Sequence, residues 1–435
     1  VTRPAPAPLW RDRNFGTYWL AQSLSALGDS FAYLALPLLV LHATGSVAQM
    51  GLLTAVAGAA SVGAGVFGGV LVDRYDRRTI MIIADLIRLV LYGLVPLAWL
   101  AGPQVWVLFV VLPICEAAGM LFQVAAVTAV RNLVDRGRIT EANGRLQATY
   151  ATAAVGGPLL AGVVSARFGP TAAVAVNAAS FALSAAGLWL VRLRRPVPAD
   201  GLDGAVDSAA GGAGGVPGRQ RPITEFLAGA RFLWRQPVLR SLTVLLSVFI
   251  FLTFGFTDVL IYHVKHDLGG SDRTVGTVLG LAALGTIAGA LLAAPLRRRR
   301  GFGVTWIGAV SLSGLAILGI GAAGTVPVVT ALTAVYLCGV SIGGICSMSL
   351  RQEITPDHLL GRVTSAFWST HYALGPPGAA ALTWATARYG VTWVTAVAGG
   401  GCLLVAVAGL VTPIRRAGAE AATHRRALQP AVETS

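Results

Sequence analysis

The chemistry in this sequence sits on a few ionisable side chains set inside long apolar runs. Asp29, Glu116 and Asp258 each lie within a stretch long enough to cross a bilayer. A charged side chain at the centre of a membrane costs about 2.5–3.5 kcal/mol or more, so it marks a functional position. Asp29 is about ten residues from either end of its run, roughly 15 Å of helix. A carboxylate that is costly to ionise there suits proton exchange as its surroundings alternate. A cationic substrate would favour the ionised form and so link two fluxes at one site. We therefore expect Asp29 to carry proton coupling, with Glu116 or Asp258 as helper or substrate ligand. The competing reading is a structural hydrogen bond from Asp29 to a neighbouring helix.

Other polar residues read more plainly. Asp85 and Arg88 stand three apart on one helical face, which suggests a local pair. His263 and Lys265 fall at the end of an apolar run and suit an interface. His371 reads as a lone satisfied histidine. Cys115, Cys338, Cys346 and Cys402 all lie in apolar runs without a CxxC pair, so neither a disulfide framework nor a metal site is expected. HExxH and GxxxxGK[ST] are missing from the sequence, which disfavours a metal-dependent hydrolase and an ATP-driven pump. No cofactor and no metal is expected.

The elements that must position these residues are helices in lipid. Hydrophobic residues make up 55% of the 435, charged residues only 12%, and the mean hydropathy is +0.70. A soluble domain carries about 25% charge. Twelve spans are expected at 15–41, 47–72, 79–101, 104–130, 146–166, 170–191, 240–264, 274–296, 302–322, 326–350, 363–387 and 391–413. The first is too long for a signal-peptide core. A β-barrel fails because barrel strands are short and alternate in polarity. Of the Lys and Arg residues outside the spans, 28 fall in alternate connections and both termini, and only Arg167, Lys265, Arg273 and Arg388 fall on the other side. The positive-inside rule then puts both termini in the cytoplasm of a multi-pass cell-membrane protein. The net charge of +14 is thereby a topology signal facing anionic lipid, with no nucleic-acid partner.

The spans form two sets. Residues 196–221 are rich in Gly, Ala and Pro and read as a linker; the stretch after it, through Trp234, has the apolar spacing of a short interfacial helix. The expected organisation is a six-helix bundle over 1–195, a cytoplasmic linker with that helix over 196–239, a second six-helix bundle over 240–414 and a tail over 415–435. The sets share landmarks in order: Gly144-Arg145 and Gly361-Arg362, Gly157-Pro158 and Gly375-Pro376, Ala166-Arg167-Phe168-Gly169 and Ala387-Arg388-Tyr389-Gly390. Both Gly-Pro pairs are expected to kink their helices. Parallel repeats of this kind place a substrate at their interface near the midplane.

The junction Gly69-Val70-Leu71-Val72-Asp73-Arg74-Tyr75-Asp76-Arg77-Arg78 resembles the signature loop of the major facilitator superfamily, matching at Gly69, Asp73, Arg74, Arg77 and Arg78. Its Asp-Arg-Tyr-Asp-Arg-Arg form is similar to the macrolide-efflux and enterobactin-exporter branch, and it departs at Asp76, where Gly is usual. The fold the resemblance implies is an all-α integral membrane protein with twelve transmembrane helices in two six-helix bundles. It implies that spans one, four, seven and ten line a central cavity, so that Asp29, Glu116 and Asp258 face it. Gln123 is then a hydrogen-bond donor to substrate, and Trp368 and Tyr372 offer stacking surface or core packing. Gly69 would admit a close neighbouring helix, and Asp73 would face the positive end of span eleven as a gate. Two departures stand: span four carries Glu116 where many proton-coupled drug exporters of this fold have Arg, and Gly157-Pro158-Leu159-Leu160-Ala161-Gly162 matches their Gly-rich run in part. The expected function is proton-coupled efflux of a drug-like or natural-product small molecule by a monomer. Import of a metabolite, and in another class a membrane-embedded enzyme or receptor-like protein, are the alternatives.

Overall fold

The structure is a computed structural model describing Leu9 and residues 12–134, 138–191 and 222–416. Residues 196–221 and 417–435, which hold the expected linker and most of the expected tail, lie outside the described residues. Six helices come first: α1 (Arg13–Thr44), α2 (Val47–Arg74), α3 (Arg77–Trp99), α4 (Val105–Leu133), α5 (Ile139–Phe168) and α6 (Pro170–Leu190). Then follow α7 (Pro222–Arg235), α8 (Pro237–Thr253), α9 (Phe256–Tyr262) with a π-helical turn over His263–Asp267, α10 (Asp272–Ala322), α11 (Val326–Ile354), α12 (Asp357–Ala373), α13 (Gly375–Tyr389) and α14 (Val391–Val411). No strand occurs among the described residues.

Local signals start and stop these helices. The Asp12 carboxylate accepts from the Asn14 and Phe15 amides at 2.9 and 3.2 Å and caps α1. Gly45 closes α1 at φ 66, a left-handed turn that a side chain would strain. Asp76, the odd residue of the signature loop, caps α3 by accepting from the Thr79 amide and hydroxyl, each at 2.9 Å. Ser271 and Thr274 form a capping box at the start of α10.

Among the described residues, ten helices are long and apolar enough to cross a membrane. One of them, α10, has 51 residues and makes two crossings, because Gly301 at φ 78 turns the chain back between its arms. Span eleven falls outside those ten because it is divided at Leu374 into α12 of 17 residues and α13 of 15. The twelve crossings follow as ten plus one plus one. Large apolar side chains such as Leu97, Trp106, Leu291 and Leu404 stay exposed on the flanks, as a hydrocarbon solvent allows. By alternation of the crossings, the turns at Gly45, Gly102, Gly169, Gly269 and Gly390 gather at one end, the turn end. The arginine-rich connections gather at the opposite, arginine end.

Two spans differ from the uninterrupted helices expected. Span seven breaks at Phe254–Gly255, where a Cβ on Gly255 would lie 2.7 Å from the Ala379 Cα of α13. Backbone-to-backbone contact with α13 and the break coincide. The two Gly-Pro pairs, expected to act alike, differ as well. Pro158 is carried inside an unbroken α5, whereas Gly375-Pro376 opens a new helix after the break at Leu374. Both glycines serve close packing: a Cβ on Gly157 would overlap Ser30 of α1, and one on Gly375 would meet the Phe254 ring at 2.8 Å.

Helices α1 to α6 pack on one another, as do α8 to α14, and α7 lies on α12. The two sets meet chiefly where α5 packs on α10 and α2 on α13. These contacts are built on small residues near the turn end. A Cβ on Gly162 would stand 2.9 Å from the Gly276 Cα and 3.0 Å from the Asp272 carbonyl oxygen; one on Gly51 would overlap Thr383. At the same end the His42 imidazole of α1 lies 3.2 Å from the Asp272 carboxylate of α10, which the Lys265 ammonium also approaches at 2.7 Å.

Candidate functional site

A cavity of about 600 Å³ opens among α1, α2, α3, α4 and the α8–α9 break. Its wall includes Asp29, Glu116, Asp258 and Gln123, so the structure brings together four of the residues singled out from sequence. The local folding explains how. Asp29 sits midway along α1, and Tyr33, one turn on, presents the same face. Glu116 and Gln123 are two turns apart on α4 and share a face. The break before α9 turns Thr257 and Asp258 inward, with Asp258 in the first helical turn, where the helix dipole favours a negative charge.

Arg88 from α3 completes the charge arrangement. Its Nη2 donates to Asp85 Oδ1 at 2.6 Å and its Nη1 lies 3.4 Å from Asp29 Oδ1. The expected local pair therefore extends into the cavity, and Asp29 has a cationic partner on another helix. Asp85 is wholly buried behind the cavity wall, whereas the Asp29 side chain is 47% exposed towards the open space. The guanidinium lies over the Phe181 ring at 4.0 Å and the Phe122 ring at 5.0 Å, cation–π contacts that help hold a weakly hydrated cation in place. A Cβ on Gly119 would stand in ordinary contact with Arg88 Nη1, at 3.6 Å. The guanidinium on the cavity wall thus comes from span three, with Glu116 standing on span four.

Across the cavity Asp258 is buried, with Thr54 of α2 in hydrogen-bonding reach of its carboxylate and Oδ2 without a partner. The hydroxyls of Tyr33 and Thr257 hydrogen-bond at 2.7 Å, tying α1 to α9. Tyr33, Thr54 and Thr257 were not picked out from sequence, although Tyr33 at Asp29+4 carried a signal. The wall thus offers three carboxylates, one guanidinium already shared with a hidden carboxylate, hydroxyl and amide hydrogen-bonding groups, and apolar patches from Met50, Leu53 and Phe254. That set can exchange protons and bind an amphipathic molecule.

Trp368 and Tyr372 are not among the residues lining the cavity, although Tyr372 meets Phe254 of its wall edge-on, with ring centroids 6.5 Å apart. They stack on each other with ring centroids 5.2 Å apart, within an aromatic group that also holds Phe367 and His371. The buried Arg351 guanidinium lies over the Phe367 ring at 3.6 Å and the Trp368 ring at 5.1 Å. In the signature loop, the surroundings of Gly69 and the side chain of Asp73 lie outside what is described. Arg74 is exposed at the end of α2. Arg78 donates from Nε to the Leu188 carbonyl oxygen at 2.9 Å and from Nη2 to that of Trp189, binding the start of α3 to the last turn of α6.

The sequence profile of the Major Facilitator Superfamily matches residues 18–380. Similar curated proteins include the multidrug efflux pump Tap of Mycobacterium tuberculosis (strain ATCC 25618 / H37Rv), 28% identical over 386 residues, covering 85% of this chain and 86% of that protein. The enterobactin exporter EntS of Shigella flexneri is 25% identical over 378 residues, covering 85% and 83%. Among solved structures, the nucleoside transporter NupG superposes with a TM-score of 0.73 at 12% identity, covering 91% of this chain and 98% of that one. A bacterial homologue of the human lysosomal transporter Spinster, inward-facing and unoccupied, does so with a TM-score of 0.69 at 13% identity, covering 96% and 99%. These two likenesses concern the fold.

Proposed function

The chain belongs to the Major Facilitator Superfamily, and from that premise we propose that it exports an amphipathic small molecule across the cell membrane by alternating access coupled to protons. The observation that carries this reading is the convergence of Asp29, Glu116 and Asp258 on one cavity, with Arg88 bridging from Asp29 to the hidden Asp85. Asp29 takes up a proton from outside and gives it up inside. While ionised it is held by Arg88 or by a positive group on the substrate. Competition between proton, Arg88 and substrate for one carboxylate links the two fluxes. The efflux direction is supported by the Tap and EntS relatives.

The arginine end faces the cytoplasm under the positive-inside rule, with both termini there. The close glycine contacts and the His42–Asp272 pair then shut the outer side, and this conformation faces inward. Asp73, at the cytoplasmic end of α2, is the gate residue that engages the start of span eleven when the inner side closes.

The test is accumulation of a fluorescent amphipathic dye in cells with and without the protein, at matched expression. Cells with the wild-type chain should hold several-fold less dye, and a proton uncoupler should abolish the difference. Asp29→Asn keeps the shape and hydrogen bonding but cannot titrate, and should lose uphill export while retaining dye binding. Asp73→Asn should lower the rate with the same binding. An Asp29→Asn variant that exports against a gradient with unchanged pH dependence would overturn the coupling role.

A further inference from the structure

A second cavity, of about 520 Å³, lies at the arginine end between the two arms of α10, the end of α11 and the segment after α14. Four arginines line it, Arg297, Arg298, Arg300 and Arg415, against one carboxylate, Glu353. Arg297 is occupied: its Nη2 donates to Glu353 Oε2 at 2.7 Å and its guanidinium sits 5.8 Å from the Phe302 ring centroid. Arg298, Arg300 and Arg415 make no ion pair among the described residues, leaving an excess of three positive charges around one hollow.

The backbone builds this arrangement. Gly301 at φ 78 makes the sharp turn that folds the arginine run over the start of the second α10 arm. That arm begins at the pocket wall with Phe302 and Gly303, adding the partial positive charge of a helix start. Gly303 is needed for Arg415 to arrive: a Cβ there would stand 2.6 Å from the Arg415 carbonyl oxygen and 2.7 Å from that of Ile414. The close approach seats the short 3-10 helix Pro413–Arg416 against the turn.

Immediately beyond the arginines the surface becomes apolar and stays exposed. Leu291 and Leu292 on the first arm, Val304 on the second and Ile345 on α11 present their side chains outward. A basic hollow at the membrane boundary above an exposed apolar wall matches a lipid, with phosphate in the hollow and acyl chains along the wall. A free inorganic anion uses the charge but has no use for the wall.

We propose that this pocket holds the phosphate of an anionic phospholipid from the leaflet at the arginine end, gripped by Arg298, Arg300 and Arg415. The site is separate from the carboxylate cavity and belongs to the fold's attachment to its bilayer. The shared chemistry with any soluble phosphate is the anionic oxygen; the apolar wall selects the lipid.

Binding is measured on the purified full chain in a neutral detergent, by native mass spectrometry and by thermal unfolding, with phosphatidylglycerol, phosphatidylcholine or inorganic phosphate added. Phosphatidylglycerol should stay bound and raise the unfolding temperature, whereas phosphatidylcholine and inorganic phosphate should do neither. Arg298→Gln with Arg300→Gln and Arg415→Gln should weaken phosphatidylglycerol about fivefold per arginine, on the order of a hundredfold together. A charge-matched control, Arg167→Gln with Arg273→Gln and Arg388→Gln, changes the opposite end and should leave binding intact. The single change Arg298→Gln, at an exposed side chain, keeps the test readable if the triple variant is unstable. Equal loss in both triples would reduce the effect to net charge and overturn the proposal. Equal binding of both lipids would do the same, and binding of inorganic phosphate alone would assign the hollow to a soluble anion instead.

Discussion

Arg88 shows how one side chain sets the character of the site. Its tight contact is with Asp85, which is wholly buried, while Asp29 at 3.4 Å is the looser and exposed partner. Removing one member of a buried ion pair leaves an uncompensated charge, costing about 3–5 kcal/mol, whereas removing both can be nearly neutral. Arg88→Gln should therefore lower the unfolding temperature sharply, and Arg88→Gln with Asp85→Asn should restore most of it. Thermal unfolding of the two single variants and the double variant in detergent measures this coupling. If the losses simply add, the pair does not carry the stability assigned to it. The double variant should still export poorly, because Asp29 then lacks its cation. Sequence spacing revealed the Asp85–Arg88 pair, since three residues on a helix share a face. It was silent on Asp29, which is 59 residues away and meets Arg88 only through the packing of α3 on α4 and α6, against which α1 also packs.

At the scale of elements, the contact of α5 with α10 decides whether the turn end can close. The helices touch through Gly162, Gly276 and Gly280, with Pro158 and Leu159 facing the last two. A side chain at Gly276 would overlap the Pro158 carbonyl oxygen and lie 2.8 Å from the Gly162 Cα. Overpacking of this kind costs about 1–3 kcal/mol. Applied to one of two alternating states, it shifts their ratio about 5- to 150-fold. Gly276→Val should thus favour the state open at the turn end. A single cysteine at Thr54, on the cavity wall, should react faster with an impermeant thiol reagent from outside in that variant. Unchanged reactivity would mean that the α5–α10 contact does not control access. The Gly-Pro landmarks marked the relevant helices in sequence. They did not show that α5 stays whole while span eleven divides at Leu374, because that difference depends on Phe254 and Ala379 as neighbours of the second bundle.

For the whole molecule, the arginine distribution implies one orientation. With the four native cysteines replaced, a single cysteine beside Gly270 should label on intact cells with an impermeant reagent, and one beside Arg77 should label only after the membrane is opened. Equal labelling of both would reject twelve crossings with internal termini. The twelve-crossing pattern itself was legible from hydropathy, and its boundaries held within a few residues over most spans. Exceptions arose at span five, whose helix begins at Ile139, and where one crossing divides, as in spans seven and eleven.

By itself the sequence determined the solvent, the helical class and the presence of rare carboxylates at depth. Those follow from composition and from the cost of placing charge in hydrocarbon, both properties of a residue in its own run. The tertiary structure alone decided which ionisable groups share a space. It joined Asp29, Glu116 and Asp258 around one cavity, brought Arg88 to Asp29 and stacked Trp368 on Tyr372 in an aromatic group that meets the cavity wall at Phe254. It also brought Arg415 back to the arginine run near Gly301. The physical reason is that helix periodicity fixes the face a side chain takes, whereas its partner across the bundle depends on helix rotation and crossing. Those are set by close contacts among small residues, such as Gly276 against Gly162 and Gly303 against Arg415.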